Sequence, residues 1–160
     1  MTDFVYDLMP DRASQVGLIV LQNDESVEME LHRMLPPELE LLISRVPSGR
    51  ELLPETIETM AGTLTGAAAL FPDGIDFAAV AYACTSGATV IGPEAVAAAV
   101  RKVHARAKVT NPASAVMAAL KHVNVARDGV VSPYVETVSD ALCTLLKDNG
   151  FDPVIVGSFG

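Results

Sequence analysis

The stretch Val16–Leu21 reads VGLIVL, a short and continuous apolar run with polar residues on both sides. Runs of this length without polar alternation are typical of strands that are covered on both faces, as in parallel sheets. A polar loop at Gln22–Glu25 and a helical segment at Ser26–Leu35 follow it. The beginning of the chain therefore predicts a strand, a loop and a helix of an α/β protein.

The same alternation continues to the end of the chain. The predicted strands are Leu39–Val46, Ile75–Ala83, Ala107–Val109, Val125–Val131 and Asp152–Val156, and the predicted helices are Glu51–Leu70, Pro93–His104, Pro112–His122 and Glu136–Lys147. Strands that alternate with helices form βαβ units and a parallel sheet. We predict a Rossmann-like α/β fold with helices on both faces of the sheet, a first half at 1–108 and the start of a similar second half at 109–160.

Charge and composition exclude several classes of function. The 160 residues include 11 Lys and Arg, 20 Asp and Glu and no Trp, and the net charge is -9. Nucleic-acid backbones and anionic membranes favour basic surfaces, and base stacking needs aromatic side chains. The chain has no uninterrupted apolar run of about 20 residues, and Met1–Ser14 lacks the basic start of a secretory signal. We expect a cytoplasmic protein without nucleic-acid or membrane partners.

The sequence predicts neither a metal nor a nucleotide cofactor. His32, His104 and His122 are scattered without the spacing of metal ligands, and we interpret them as surface residues. The glycine-rich patterns that bind nucleotide phosphates are missing from the chain.

Cys84 is the residue with the clearest chemical potential. It follows the predicted strand Ile75–Ala83 and precedes Thr85, Ser86 and Gly87, which we interpret as a loop. Backbone N–H groups of small residues at such a turn favour anions and would favour the thiolate form of a thiol. One loop thus offers a nucleophile beside donors for a carboxylate. The alternative is a buried and inert cysteine at the end of a strand.

Two other loops are expected near Cys84, because ligands of open α/β sheets bind beyond the carboxyl ends of the strands. Asn23 follows the first predicted strand and either binds a ligand or caps the next helix. Tyr134 follows a later strand and either packs or donates its hydroxyl to a carboxylate. We interpret Asp24 as a solvated acid and Cys143 as a small buried hydrophobe.

Five segments of the chain carry a resemblance to a known family: VGLIVLQNDESVEME, AYACTSGATVIGPE, VTNPASAVMAAL, VVSPYVETV and GFDPVIVGSFG. They extend from Val16 to Gly160, and together they resemble the aspartate/glutamate racemase superfamily. The resemblance is greatest to its maleate cis-trans isomerase branch, with arylmalonate decarboxylase as a close relative. It implies two similar Rossmann-like halves, an active site in the cleft between them, and chemistry without cofactor or metal.

The resemblance also implies roles for individual residues. Cys84 falls on the catalytic cysteine of the first half, and Asn23 on an asparagine that binds a substrate carboxylate. Thr85 and Ser86 fall on an anion hole, and Tyr134 on a tyrosine that contacts a carboxylate. The implied activity converts maleate to fumarate by thiolate addition, bond rotation and elimination, with a small dicarboxylate as substrate. We also expect a homo-oligomer.

In the family the second half continues beyond the SFG segment and contains a second cysteine there, which Cys143 does not match. We therefore expect this chain to be a C-terminally shortened version, whose 160 residues are inactive if that second cysteine is needed. Two alternatives stay open beside the isomerase. One is a cofactor-independent racemase or arylmalonate-type decarboxylase, and the other is a carboxylate-binding fragment without catalysis.

Overall fold

The computed structural model describes residues 4–7, 13–49 and 54–159, which form two parallel sheets with helices between the strands. The first sheet has the order β2-β1-β3-β4, where the strands are β1 (Ser14–Leu21), β2 (Leu39–Val46), β3 (Ala79–Tyr82) and β4 (Lys108–Thr110). The second sheet pairs β5 (Arg127–Ser132) with β6 (Asp152–Ser158). The predicted α/β fold with parallel strands is confirmed.

The helices of the described residues are α1 (Val27–Met34), α2 (Pro54–Ala68), α3 (Thr85–Ile91), α4 (Pro93–Arg101), α5 (Pro112–His122) and α6 (Glu136–Asp148). Most predicted boundaries differ from those of the structure by a few residues, and two differences are more consequential. The predicted loop after Cys84 is the start of α3, and the predicted strand Ile75–Ala83 is a strand only from Ala79 to Tyr82. Residues 51–53 of the predicted second helix, and residues 1–3 and 8–12 of the segment judged not to be a secretory signal, lie outside the described residues.

Local sequence signals separate the helices. Gly92 has a φ of 91°, a left-handed conformation that glycine adopts without strain, and it separates α3 from α4. Pro93 then begins α4, where its missing N–H is not needed. Asn111 accepts a hydrogen bond from the Ser114 N–H, and the Ser114 hydroxyl accepts one from the Asn111 N–H. This capping box fixes the start of α5 directly after β4.

Side chains point alternately to either side of a strand, and helices pack against both faces of the first sheet. On one face Val80 packs in the main core with Leu64 of α2 and Val96 of α4. On the other face Ala81 and Leu31 of α1 border a cavity of about 160 Å³. The doubly covered sheet explains why VGLIVL is apolar at every position except its glycine.

The second sheet is less covered than the first. Val131 of β5 is 75% exposed and Ile155 of β6 is 73% exposed. The predicted division at residue 108 falls within β4, which pairs with β3 of the first sheet. The division of the chain into two halves remains a prediction. None of the helices in the described ranges is long and apolar enough to cross a membrane.

The interpretation of all three histidines as surface residues is wrong for His104. Its ring is half-buried, with its centroid 5.8 Å from that of Phe71 and 5.1 Å from that of Phe77. Its Nε2 lies 3.0 Å from the Ala68 carbonyl oxygen. The imidazole ring thus packs against two aromatic rings while one of its nitrogens contacts a carbonyl oxygen, which is why His104 is not a surface residue.

Candidate active site

Cys84 occupies the junction between β3 and α3. Its backbone is extended, with φ -143° and ψ 113°, and it stands at the N-cap position of the helix. The Gly87 N–H donates a hydrogen bond to Sγ at 3.2 Å, and the Ser86 hydroxyl lies 3.5 Å from Sγ. The sulfur therefore takes the place of the oxygen that usually caps a helix. Cys84 is 5% exposed, so protein atoms cover it almost completely.

Tyr82 lies under the same junction, and the sequence analysis did not select it. It is 1% exposed, and its hydroxyl makes no hydrogen bond to any other described residue. Burial raises the pKa of Tyr82 far above its ordinary value, and the adjacent Cys84 raises this pKa further. A usable signal was present, since residues two apart on an extended segment point to the same side.

Gly87 allows the three groups to approach one another. A Cβ on Gly87 would overlap the Tyr82 hydroxyl oxygen and would stand 3.0 Å from the Sγ of Cys84. Only a glycine leaves room for both atoms against this turn of α3. The glycine of the CTSG segment is therefore required by packing around the sulfur.

Asn23 lies in the loop after β1, as predicted, and its side chain is exposed. Its Nδ2 donates only a long hydrogen bond of 3.5 Å, to the Gly49 carbonyl. Ser26 occupies the N-cap position of α1 without a side-chain cap bond, and the Asp24 Oδ1 accepts from the N–H groups of Ser26 at 3.1 Å and Val27 at 2.9 Å. The interpretation of Asp24 as a solvated acid is thus corrected, and the amide of Asn23 is not needed as a cap.

Tyr134 lies in a well-anchored loop between β5 and α6. Its N–H donates to the Ser132 hydroxyl at 3.1 Å, and its carbonyl accepts from the hydroxyls of Ser139 and Ser158 at 3.1 and 2.7 Å. The buried hydroxyls of Ser132 and Ser139 also bond to each other at 2.9 Å. These bonds hold the backbone of the loop and leave the phenol ring half-buried.

The structure brings some of the predicted site residues together and leaves others apart. Ser86 is buried in contact with Cys84, and Thr85 uses its carbonyl to accept from the Thr89 hydroxyl at 2.9 Å. Asn23 and Cys84 follow neighbouring parallel strands and so lie at the same edge of the sheet. Helix α6, which begins just after Tyr134, packs against α3. Across the described residues, neither Asn23 nor Tyr134 makes a side-chain hydrogen bond to Cys84.

Four cavities of the described ranges, with volumes of about 160 to 420 Å³, are lined by residues other than Cys84. The largest lies beside α1, between Met29, His32 and Arg45. Cys143 is buried in α6, as predicted. The described part of the chain contains no group of three or more His, Cys, Asp or Glu side chains that could hold a metal ion.

The parallel first sheet with its helices is an α/β fold that matches those of solved maleate isomerases and of arylmalonate decarboxylase. The maleate isomerase from Pseudomonas putida S16 superimposes with a TM-score of 0.76 at 18% identity, over 91% of this chain and 64% of that chain. The maleate cis-trans isomerase of Nocardia farcinica, in a mutant with a covalently bound succinylcysteine intermediate, gives 0.77 at 22% identity, over 91% and 63%.

Arylmalonate decarboxylase is a third similar structure. It superimposes with a TM-score of 0.71 at 23% identity, over 91% of this chain and 62% of that chain. This chain thus spans less than two thirds of each of these enzymes, and the likeness establishes the fold. No protein-family model matches the sequence, and no curated relative matches it.

Proposed function

We propose that the protein is a cofactor-independent maleate cis-trans isomerase and that Cys84 is its nucleophile. The observation that carries this proposal is the position of the sulfur. It stands at the carboxyl edge of a parallel sheet with hydrogen-bond donors beside it, in the fold of two maleate isomerases. One of those enzymes holds a succinyl group covalently on cysteine, which is the product of thiol addition to a four-carbon diacid.

The proposed reaction takes place between the electron pair of the Cys84 thiolate and the alkene of maleate. A thiolate at Cys84 attacks one alkene carbon, an S–C bond forms, and the π pair moves onto the neighbouring carbon and its carboxylate as an enediolate. The former double bond is then single and rotates. When the pair returns, the S–C bond breaks, and fumarate leaves with the thiolate regenerated. The sequence of steps needs no oxidant, reductant or net proton.

Both carboxylates of the substrate and the enediolate need donors, because the attacking group is itself an anion. We assign this role to Asn23, Thr85, Ser86 and Tyr134. The amide of Asn23 is exposed and bound only at 3.5 Å, so it can turn to a carboxylate with little loss. The anchored loop of Tyr134 offers a phenol on a fixed backbone. Since the chain has a net charge of -9, attraction of a dianion must come from such local donors.

The test is conversion of maleate, followed as loss of its alkene proton signal and growth of the fumarate signal in NMR spectra. We expect turnover by the unchanged protein, a loss of at least about a thousandfold in Cys84→Ala, and near-normal turnover in Cys143→Ala as the matched control. Circular dichroism of both variants checks the fold. Retained turnover in Cys84→Ala would exclude Cys84 as the nucleophile.

Proton transfer beside a carboxylate is the second candidate, and the superposition on arylmalonate decarboxylase favours it. In this reaction Thr85, Ser86 and Tyr134 would stabilise an enediolate during racemisation or loss of carbon dioxide. Incubation in deuterated water separates the two, because racemisation exchanges the α-hydrogen whereas addition and elimination do not require it. Release of carbon dioxide from phenylmalonate would identify a decarboxylase.

A carboxylate-binding fragment without catalysis gives a third pattern of results. Maleate would then slow the alkylation of Cys84 by iodoacetamide without being converted. Alkylation that maleate does not slow would contradict all three assignments, since each of them places the diacid beside the sulfur.

A further inference from the structure

The hydroxyl of Tyr82 is a buried polar group that the proposed reaction does not use. It is covered by the protein and has no hydrogen-bond partner among the described residues. Burying an unpaired hydroxyl destabilises a folded protein, whereas phenylalanine would fill the same space without that cost. Because the hydroxyl is retained at this cost, we expect it to act on a neighbouring group.

The nearest candidate is the sulfur of Cys84. Both the Tyr82 hydroxyl and Sγ lie against the single position where Gly87 lacks a Cβ. Two atoms that both lie so near one point must also lie near each other. The Gly87 N–H and the Ser86 hydroxyl already contact this sulfur from α3. The Tyr82 phenol lies near the sulfur from the side of β3, so hydrogen-bond donors stand beside the sulfur on both β3 and α3.

The fully buried residues of the described ranges carry no charged side chain, and helix α6, which packs against α3, has Glu136 in its first turn. The buried polar residues of the described ranges are Gln, Ser, Thr and Asn, and none of them is Asp, Glu, His, Lys or Arg. The core around the pair is apolar, with Leu64 from α2, Val96 from α4 and Ala113 from α5. Cys143 of α6 is the other buried titratable group, and the half-buried His104 lies by Phe77, before the start of β3. A negative charge on Cys84 would therefore depend on its hydrogen bonds.

We propose that Tyr82 is a positioning residue that stabilises the thiolate of Cys84 by donating a hydrogen bond to Sγ. When the thiol releases its proton to solvent, the phenol O–H turns to the sulfur and completes a set of three donors with Gly87 and Ser86. This inference rests on the proposed role of Cys84 and adds to it the group that prepares the nucleophile. Hydrogen bonds to a charged acceptor are the strong ones, most of all where water is excluded.

The test measures ionisation directly and needs no substrate. Protein labelled with 13C at the cysteine Cβ and carrying Cys143→Ala gives one signal, whose shift follows the titration of Cys84. Adding Tyr82→Phe should raise the midpoint of this titration by about one pH unit, a tenfold loss of thiolate at a fixed pH. An unchanged midpoint would overturn the role of Tyr82.

A second measurement keeps the test decisive if the phenylalanine variant does not fold. Replacing Tyr82 alone by 3-fluorotyrosine retains the shape and makes its hydroxyl a stronger donor, so the midpoint should fall. A midpoint that does not fall contradicts the proposal, because a purely structural tyrosine would not respond to donor strength.

Turnover then separates this inference from the proposed function. If maleate is converted, Tyr82→Phe should lower kcat about tenfold at neutral pH with little change in KM. If maleate is not converted but the midpoint still rises in Tyr82→Phe, the isomerase assignment fails and the thiolate role of Tyr82 stands.

Discussion

Arg45 of β2 donates a hydrogen bond from Nη1 to the main-chain carbonyl of Asp24, at a distance of 2.9 Å. The same nitrogen reaches the carbonyls of Leu21 and Gln22 at 3.2 and 3.4 Å. One guanidinium nitrogen thus contacts the carbonyl of Leu21 at the end of β1 and two carbonyls of the loop that contains Asn23. The carboxyl edge of the sheet is held in shape here by a side chain that was not selected from the sequence.

Replacing Arg45 should loosen this loop. We expect Arg45→Ala to lower the free energy of unfolding by about 1–2 kcal/mol and to accelerate amide hydrogen exchange in 22–25, because three carbonyls lose a charged donor. Glu28→Ala is the control, since it removes only the exposed ion pair with Arg45. Its cost should stay below about 0.5–1 kcal/mol. Equal effects of the two variants would contradict the prediction.

The hydrogen bonds that Asp24 accepts at the start of α1 give a second prediction. Asp24→Ala should destabilise the protein by about 1 kcal/mol, because the N–H groups of Ser26 and Val27 lose their acceptor. Asp24→Asn retains an acceptor oxygen and should cost less than half as much. Urea unfolding measures both.

Asn23→Ala is predicted to separate binding from stability. Its side chain makes only a 3.5 Å hydrogen bond, so the free energy of unfolding should change by less than about 0.5 kcal/mol. Binding of maleate, measured by calorimetry, should weaken by about tenfold or more, the usual effect of losing a hydrogen bond to a charged group. A loss of stability without a loss of binding would assign Asn23 to structure.

Gly87→Ala tests the packing around the sulfur. The added methyl group would overlap the Tyr82 hydroxyl, so we expect a loss of about 1–3 kcal/mol in the free energy of unfolding. Gly66→Ala in α2 is the matched control, because it meets open space and should stabilise the helix by about 0.5–1 kcal/mol. Tyr82→Phe combined with Gly87→Ala should recover part of the loss. Failure to recover any of it would mean that the hydroxyl is not the obstacle.

The raised pKa of Tyr82 predicts a loss of stability in alkaline solution. In the unfolded chain the phenol ionises near about pH 10, whereas in the folded protein it keeps its proton to higher pH. Above about pH 10 the folded state binds more protons, so the stability contributed at lower pH decreases as pH rises. Relative to Tyr82→Phe, the free energy of unfolding should fall by about 1.4 kcal/mol per pH unit there. Urea unfolding at several alkaline pH values gives this slope, and parallel curves for the two proteins would contradict the prediction.

Apolar runs and turn residues predicted much of the fold, because apolar runs indicate buried segments and turn residues indicate where these segments end. VGLIVL predicted a strand covered on both faces, and β1 is the strand that pairs with both β2 and β3. The predicted helix Pro112–His122 has the same bounds as α5, and the capping box of Asn111 and Ser114 fixes its start. Such signals are local, so a single sequence is enough to interpret them.

The errors arose where the outcome depends on contacts between distant residues. Helix α3 was missed because CTSG is typical of a loop, and its helical state depends on packing against α2 and α6. The Tyr82 hydroxyl and the sulfur lie together beside Gly87, which stands three residues after Cys84 in α3, so their proximity depends on that helix. Asp24 rather than Asn23 accepts the hydrogen bonds at the start of α1, and this depends on the path of the loop, which Arg45 of β2 holds through the Asp24 carbonyl.

The 5% exposure of Cys84 has a kinetic consequence for any chemistry at this sulfur. We expect a diacid to reach the sulfur only when the surrounding side chains move away from it. The rate of this local opening then limits the rate of any reaction at the sulfur. At high concentrations of an alkylating reagent the labelling rate should level off, and the plateau would equal the frequency with which the protein opens.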